Sequence, residues 1–174
     1  MSTFFFTGCE HYYHINSIKY DNRPFSNVDE MNHELIKRHN SIVSEKDRVI
    51  HVGDFTLAGT EPAKEVIKQL NGSHTFLIGN HDSWLKNKGR DIWQKTINGQ
   101  IIVACHYPMR VWNCSHYNSW QVFSHPHGKL KPLGKQWDVS VANNNYYPVS
   151  FEKLQDIMAT AEDNFNLIKS KHKY

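Results

Sequence analysis

The chain has 174 residues, 39% of them hydrophobic and 13% aromatic, which fits one domain over 1–174 that buries roughly two thirds of its unfolded surface. That composition excludes an intrinsically disordered chain. The formal net charge of +3, with twelve histidines counted as neutral, tolerates an anionic substrate but lacks the dense Lys/Arg stripe of a nucleic-acid groove, so nucleic-acid binding is not indicated.

Short apolar runs alternate with amphipathic stretches, the pattern of a layered α/β domain. A first buried strand is predicted over 3–7, ending where Cys9 and His11 begin. Ser26 with Asp29 three residues on reads as a capping box, and Val28, Met31, Leu35 and Ile42 place one apolar face on the helix that follows. A second strand over 48–52 delivers Gly53-Asp54, and a second helix over 60–70 has Pro62 in its first turn and Asn71-Gly72 as its stop. A third strand over 75–78 leads to Gly79-Asn80-His81-Asp82. Asn98-Gly99 marks a tight hairpin turn into a strand over 100–104, followed by His106. Residues 119–123 read as a short strand leading to His125 and His127. Ser150 caps a last helix predicted to run to about residue 168, and 169–174 reads as a frayed basic tail.

Each block of polar residues thus falls just past the carboxyl end of a strand, and in α/β sheets those ends converge on one rim. Cys9, Asp54, Asn80, His11, His106, His125 and His127 together offer a thiolate, a carboxylate, an amide oxygen and four imidazoles. The set is too rich in nitrogen and sulfur for calcium or magnesium and suits zinc, iron, manganese, nickel or cobalt. Seven ligands exceed one tetrahedral ion, so two divalent ions sharing a carboxylate are expected. Their charge is only partly offset by one thiolate and one aspartate, which favours an anionic substrate such as a phosphate ester. The blander readings are a buried apolar role for Cys9, a turn at Gly79-Asn80 and an exposed loop at His125-Pro126-His127. His33, His39, His74 and His172 read as surface residues. Cys9, Cys105 and Cys114 form no C-x-x-C pair, and Phe4-Phe5-Phe6 is too short for a signal peptide. A protein of the reducing cytoplasm without a membrane span is expected.

The order Cys9-x-His11, Gly53-Asp54, Gly79-Asn80-His81-Asp82, His106 and Ser124-His125-x-His127 resembles that of the calcineurin-like metallophosphoesterases. Phrases such as His14-x-Asn16, Asn22-Arg23-Pro24-Phe25 and His106-Tyr107-Pro108-Met109-Arg110 are similar to small bacterial and phage members. The resemblance implies two mixed β-sheets flanked by helices. It implies one ion held by Cys9, His11, Asp54 and His127 and a second by Asp54, Asn80, His106 and His125. It also implies a metal-bridging hydroxide that attacks phosphorus, with His81 assisting the leaving oxygen and Asp82 orienting His81. Cys9 stands where the family has aspartate, which favours zinc or iron there, and Ser124 stands for a glycine. Arg23, Arg110 and Asn80 are candidate substrate contacts, and Trp112, Tyr117 and Trp120 are candidates to stack a nucleobase or sugar. The expected activity is hydrolysis of a phosphodiester or phosphomonoester, with a nucleotide or cyclic nucleotide as one option. The rivals are a non-catalytic scaffold of the same fold and a mononuclear zinc protein.

Overall fold

Phe4, Phe5, Phe6 and Thr7 form the first strand, β1 (Phe4–Thr7), and their unbroken apolar run reflects cover on both faces of the sheet. The computed structural model describes residues 2–85 and 88–168. Elements follow in the order β1, α1 (Ile15–Tyr20), α2 (Val28–Ile42), β2 (Arg48–His51), α3 (Thr60–Ile67) and β3 (Ser73–Phe76). A hairpin, β4 (Ile92–Ile97) and β5 (Gln100–Cys105), is followed by β6 (Trp120–Phe123), β7 (Gln136–Asp138), β8 (Val149–Ser150) and α4 (Phe151–Thr160). Two four-stranded mixed sheets result, in the orders β3-β2-β1-β8 and β4-β5-β6-β7. β1, β2 and β3 run parallel with β8 antiparallel at the edge. In the second sheet β5, β6 and β7 run parallel and β4 pairs antiparallel to β5.

The main core lies between the sheets, where Phe6, Ile50 and Val52 meet Ile102, Ala104 and Val122, closed off by Phe151, Leu154 and Met158 of α4. Met31 and Leu35 of α2 and Ala63 and Val66 of α3 pack with Tyr12 and Phe55 in a second apolar cluster. Helices therefore flank the sandwich, and the five loops leaving β1, β2, β3, β5 and β6 open at the carboxyl ends of parallel strands. Among the described residues no helix is long and apolar enough to cross a membrane.

Several boundaries differ from those predicted. The capping box at α2 sits one residue later: the Asn27 side chain accepts from Glu30 N at 2.9 Å, and the Glu30 carboxylate accepts from Ser26 N at 2.7 Å. α4 stops at Thr160 rather than near 168. Its last carbonyls are taken by Lys135 Nζ, at 2.9 Å from Met158 O and 2.7 Å from Ala161 O, while the Asn164 amide donates to Ser115 O and Ser119 O and draws the chain onto the second sheet. The predicted basic tail over 169–174 lies outside the described residues. α1, β4, β7 and β8 were not predicted. β4 buries only Trp93 and Ile97 of its six residues, β7 and β8 are three and two residues long, and α1 is a stretch of six in which only Ser17 is buried.

Candidate metal centre

The parallel pairing of β1 with β2 continues past the strands as a ladder between loops. Cys9 N donates to Gly53 O at 2.9 Å, His11 N to Asp54 O at 3.1 Å and Tyr12 N to Phe55 O at 2.9 Å. This carries Cys9 and His11 alongside Asp54. His81 N donates to Asp54 Oδ1 at 2.9 Å, and Ser124 N and His125 N both donate to His106 O. Cys9 (φ 51°), His11 (φ 55°), Asp54 (φ 59°) and His127 (φ 51°) all adopt left-handed backbone, a conformation that costs a non-glycine residue about 1 kcal/mol or more. Gly53 and Gly79 permit close approaches within the centre: a Cβ on Gly53 would overlap the His106 ring, and one on Gly79 would overlap the Asp54 carboxylate.

The side chains present their lone pairs inward. A carbonyl can only accept, so His106 Nδ1 donates to Val52 O at 2.9 Å, which leaves Nε2 bare. That Nε2 faces Asn80 Oδ1 at 3.2 Å and His125 Nδ1 at 3.1 Å. His127 Nδ1 donates to Asp21 Oδ2 at 2.6 Å, and its Nε2 faces Nε2 of His11 at 3.4 Å. Asp54 Oδ2 lies 3.5 Å from His106 Nε2, 3.7 Å from His11 Nε2 and 4.0 Å from His81 Nε2. These spacings are long for hydrogen bonds, yet two ligands each ~2.1 Å from one tetrahedral ion stand roughly 3.4 Å apart. Among the described residues three groups have ligand atoms within 4.8 Å of one another: Cys9, His11 and His127; Cys9, Asp54 and His106; and His11, Asp54 and His81. The centre could therefore hold a metal ion.

Burial sets the protonation states. Desolvation pushes the Cys9 thiol well above its ordinary value, and the Asp54 charge adds to the rise. A bound cation would oppose both effects and favour the thiolate. Desolvation, then the Arg23 charge, lowers His11 to about 2, and burial also lowers His14 and His125. These imidazoles are neutral at pH 7, the state a metal ligand needs. Burial alone would raise Asp21, but the hydrogen bond from His127 and the Arg23 guanidinium hold it well below the usual carboxylate range. The centre floors a cleft of about 560 Å³ bordered by His14, His81, His125, Tyr20, Pro108 and Leu130.

No family model matches the chain. It is 36% identical over 153 residues to the uncharacterized protein MJ1445 of Methanocaldococcus jannaschii, a match that covers 83% of this chain and 84% of that relative. The chain belongs to the MJ1445 family. The fold is shared with the protein of unknown function AQ665 from Aquifex aeolicus, with a TM-score of 0.71 at 19% identity over 90% of this chain and 100% of the other.

All seven expected ligand residues converge on the centre, and His81 stands at the cleft with its side chain 33% exposed. Other expectations need correction. Among the described residues no hydrogen bond joins the Asp82 carboxylate to the His81 ring. The buried Asp82 carboxylate accepts from Asp54 N at 2.6 Å, Phe55 N at 2.9 Å, Gly79 N at 3.0 Å and Trp84 Nε1 at 2.9 Å, and so ties two ligand loops together. Arg23 is no free phosphate contact either. Its guanidinium is buried and donates to Glu10 O at 2.8 Å and Cys9 O at 2.9 Å. Arg110 is exposed, lies over the Phe165 ring at 4.5 Å and is not among the residues bordering the cleft. Trp112 is buried, its Nε1 donating to Ser119 O, and neither Tyr117 nor Trp120 borders the cleft.

Glu10 points away from the centre, and its carboxylate meets His51 Nδ1 at 2.7 Å. His51 Nε2 in turn meets His74 Nδ1 at 3.0 Å, and His39 lies buried beside them. His39, on α2, is buried, and His74, within β3, is partly covered by it at 5.8 Å between ring centroids, so neither is free on the surface; His33 is exposed, and His172 lies outside the described residues. Burial raises Glu10 to about 8 and lowers His51 to about 3. Sequence reasoning missed Asp21, which belongs to no recognisable ligand motif, and it undervalued His14, whose ring centroid lies 5.8 Å from that of His81.

Proposed function

We propose that this protein is a binuclear metal-dependent phosphoesterase on a calcineurin-like sandwich. The observation that carries the reading is the position of Asp54 Oδ2, surrounded by three histidine Nε2 atoms at 3.5–4.0 Å. Cys9, His11, Asp54 and His127 would hold one divalent transition-metal ion, and Asp54, Asn80, His106 and His125 the other. The thiolate would favour zinc or iron at the first position over manganese or magnesium. When bound, the ions would supply Lewis-acid charge and an activated water.

The chain's own groups then perform distinct tasks. His106 and His127 are held in the tautomers that present Nε2, by Val52 O and Asp21 respectively. His81, anchored by its backbone on Asp54 Oδ1, would give a proton from its ring to the departing oxygen. Tyr20, Pro108, Pro126 and Leu130 give the cleft apolar walls, suited to the organic part of a small phosphate ester such as a nucleotide. The Cys9–His11–His127 trio also supports a second reading, a single structural zinc.

The test is elemental analysis of protein purified without chelators, joined to hydrolysis of bis(p-nitrophenyl) phosphate. About two ions per chain, and a loss of roughly 10²-fold or more in kcat for His81→Ala, are expected. One ion without turnover would favour the structural zinc. No ion, and none taken up from added zinc or manganese, would end the metalloenzyme reading.

A further inference from the structure

Asp21 follows α1 directly, belongs to none of the ligand blocks, and has a side chain only 3% exposed although it borders the cleft. Its Oδ2 accepts from His127 Nδ1 at 2.6 Å and from Arg23 Nη2 at 3.2 Å, and its Oδ1 pairs with Lys129 Nζ at 3.2 Å. The same Arg23 guanidinium donates to the carbonyls of Cys9 and Glu10. One carboxylate is therefore joined directly to His127 and, through one guanidinium, to the backbone that bears Cys9. These two ligand residues lie 118 positions apart in the chain by number (127 − 9) and both stand in left-handed backbone. Without Asp21, Nδ1 of His127 has no acceptor, and its ring is free to move the proton to Nε2, the atom that faces His11.

Resting on the metal-centre reading above, we propose that Asp21 is a positioning residue for the first metal position. It holds the proton of His127 on Nδ1, so that the lone pair of Nε2 faces His11, and its negative charge strengthens that nitrogen as a donor. Through Arg23 it also fixes the carbonyls of Cys9 and Glu10, which flank the Glu10 Cα, and with them the direction of the Cys9 thiol. Arg23 earns its burial in this way, as a fixed charge that keeps the carboxylate ionised and the first loop in place. α1 is thereby more than a wall of the cleft, because its end carries the group that ties the first and last ligand loops together.

Two substitutions separate geometry from charge. In Asp21→Asn the amide oxygen can take the place of Oδ2 and still accept from His127 and Arg23, while the amide nitrogen turns toward the exposed Lys129. In Asp21→Ala both acceptor and charge are gone. The experiment is titration of the full-length metal-free protein with zinc against a chromophoric chelator, together with ring ¹⁵N shifts of His127 before metal is added. Asp21→Ala should weaken one of two zinc equivalents by about 10–100-fold, leave the other unchanged and abolish the pure Nδ1–H signature. Asp21→Asn should fall between it and the unsubstituted protein. A folded Asp21→Ala chain with both affinities and the His127 tautomer unaltered would overturn the proposal. Should Asp21→Ala not fold, Asp21→Asn decides on the same two readouts. An unsubstituted chain that binds no zinc at all sinks the metal-centre reading itself, a result distinct from bound zinc that is indifferent to Asp21.

Discussion

Asp82 separates a structural account of the centre from a catalytic one. Its two carboxylate oxygens accept four short hydrogen bonds, Oδ2 from Asp54 N and Gly79 N and Oδ1 from Phe55 N and Trp84 Nε1. In Asp82→Asn an amide oxygen can replace one carboxylate oxygen, but the amide NH2 must then face two N–H groups. With the oxygen toward Phe55 and Trp84, the amides of Asp54 and Gly79 are left buried without an acceptor. Each such loss costs about 1–3 kcal/mol, so the substitution should destabilise the fold by about 4 kcal/mol. For a domain of this size that corresponds to a fall of roughly 8–16 °C in Tm. Urea unfolding in the presence of a chelator measures it without any contribution from bound metal. Were Asp82 instead a partner of His81, Asp82→Asn would unfold like the unsubstituted chain and lose only turnover. A stability change below about 1 kcal/mol would refute the cross-link argument, since even one orphaned buried amide should cost that much.

The glycines offer a cleaner control than most. Gly53 and Gly59 have nearly the same φ, 89° and 90°, but a Cβ on Gly53 would strike the His106 ring whereas one on Gly59 meets nothing within 4 Å. Gly59→Ala should therefore cost only the backbone strain of about 1–3 kcal/mol, and Gly53→Ala clearly more in the same denaturant titration; equal losses would remove the steric argument. In chelator, stability should fall as pH drops from about 6.5 toward 4, because the unfolded chain protonates its histidines near 6.5 while burial lowers His39 and His74 to about 4 and His51 to about 3. Glu10 has the opposite sign: it keeps its proton in the fold up to about 8, so its contribution is present below its ordinary value of 4.5 and is lost as pH rises through 8. His39→Gln should make the acid limb shallower, and an unchanged slope would show that His39 does not titrate across folding.

Much of this arrangement was legible because the ligand blocks end strands. Parallel neighbours β1, β2 and β3 must deliver their loops to one edge, so Cys9, Asp54 and Asn80 could be placed together from strand order alone. Asn98-Gly99 demanded a strand on each side, yet β4 carries only Trp93 and Ile97 inward and shows little apolar periodicity. The partners of the ligands were harder to read. Asp21, Asp82 and Arg23 are charged residues whose roles depend on which backbone amides and carbonyls come within reach, and no spacing in the chain encodes that. Phosphate binding was a natural expectation for Arg23, since a guanidinium suits it; burial against two carbonyls shows the same fork used as a strut. His39, His51 and His74 were obscured for a related reason: a helix or strand position fixes a residue's face, but cover by a second layer decides whether that face meets water.

The cost of the centre is concentrated where its chemistry would be. Cys9, His11, Asp54 and His127 each hold left-handed backbone, and His11 Nδ1 is buried without a partner. Neither feature stabilises the chain; both must be offset by the inter-sheet core and by the bonds that Asp82, Arg23 and Asp21 make around the rim. The nitrogen, sulfur and oxygen atoms that gather within 4.8 Å of one another are the donors a cation would need, although the Cys9 thiol donates to Ser124 O at 3.3 Å and would have to give up that proton. Where lone pairs face one another they repel, and a cation between them would replace that repulsion with bonds. Were an ion to bind, these rigid partners would already hold the donors in place, so that metal binding would not also have to order the loops.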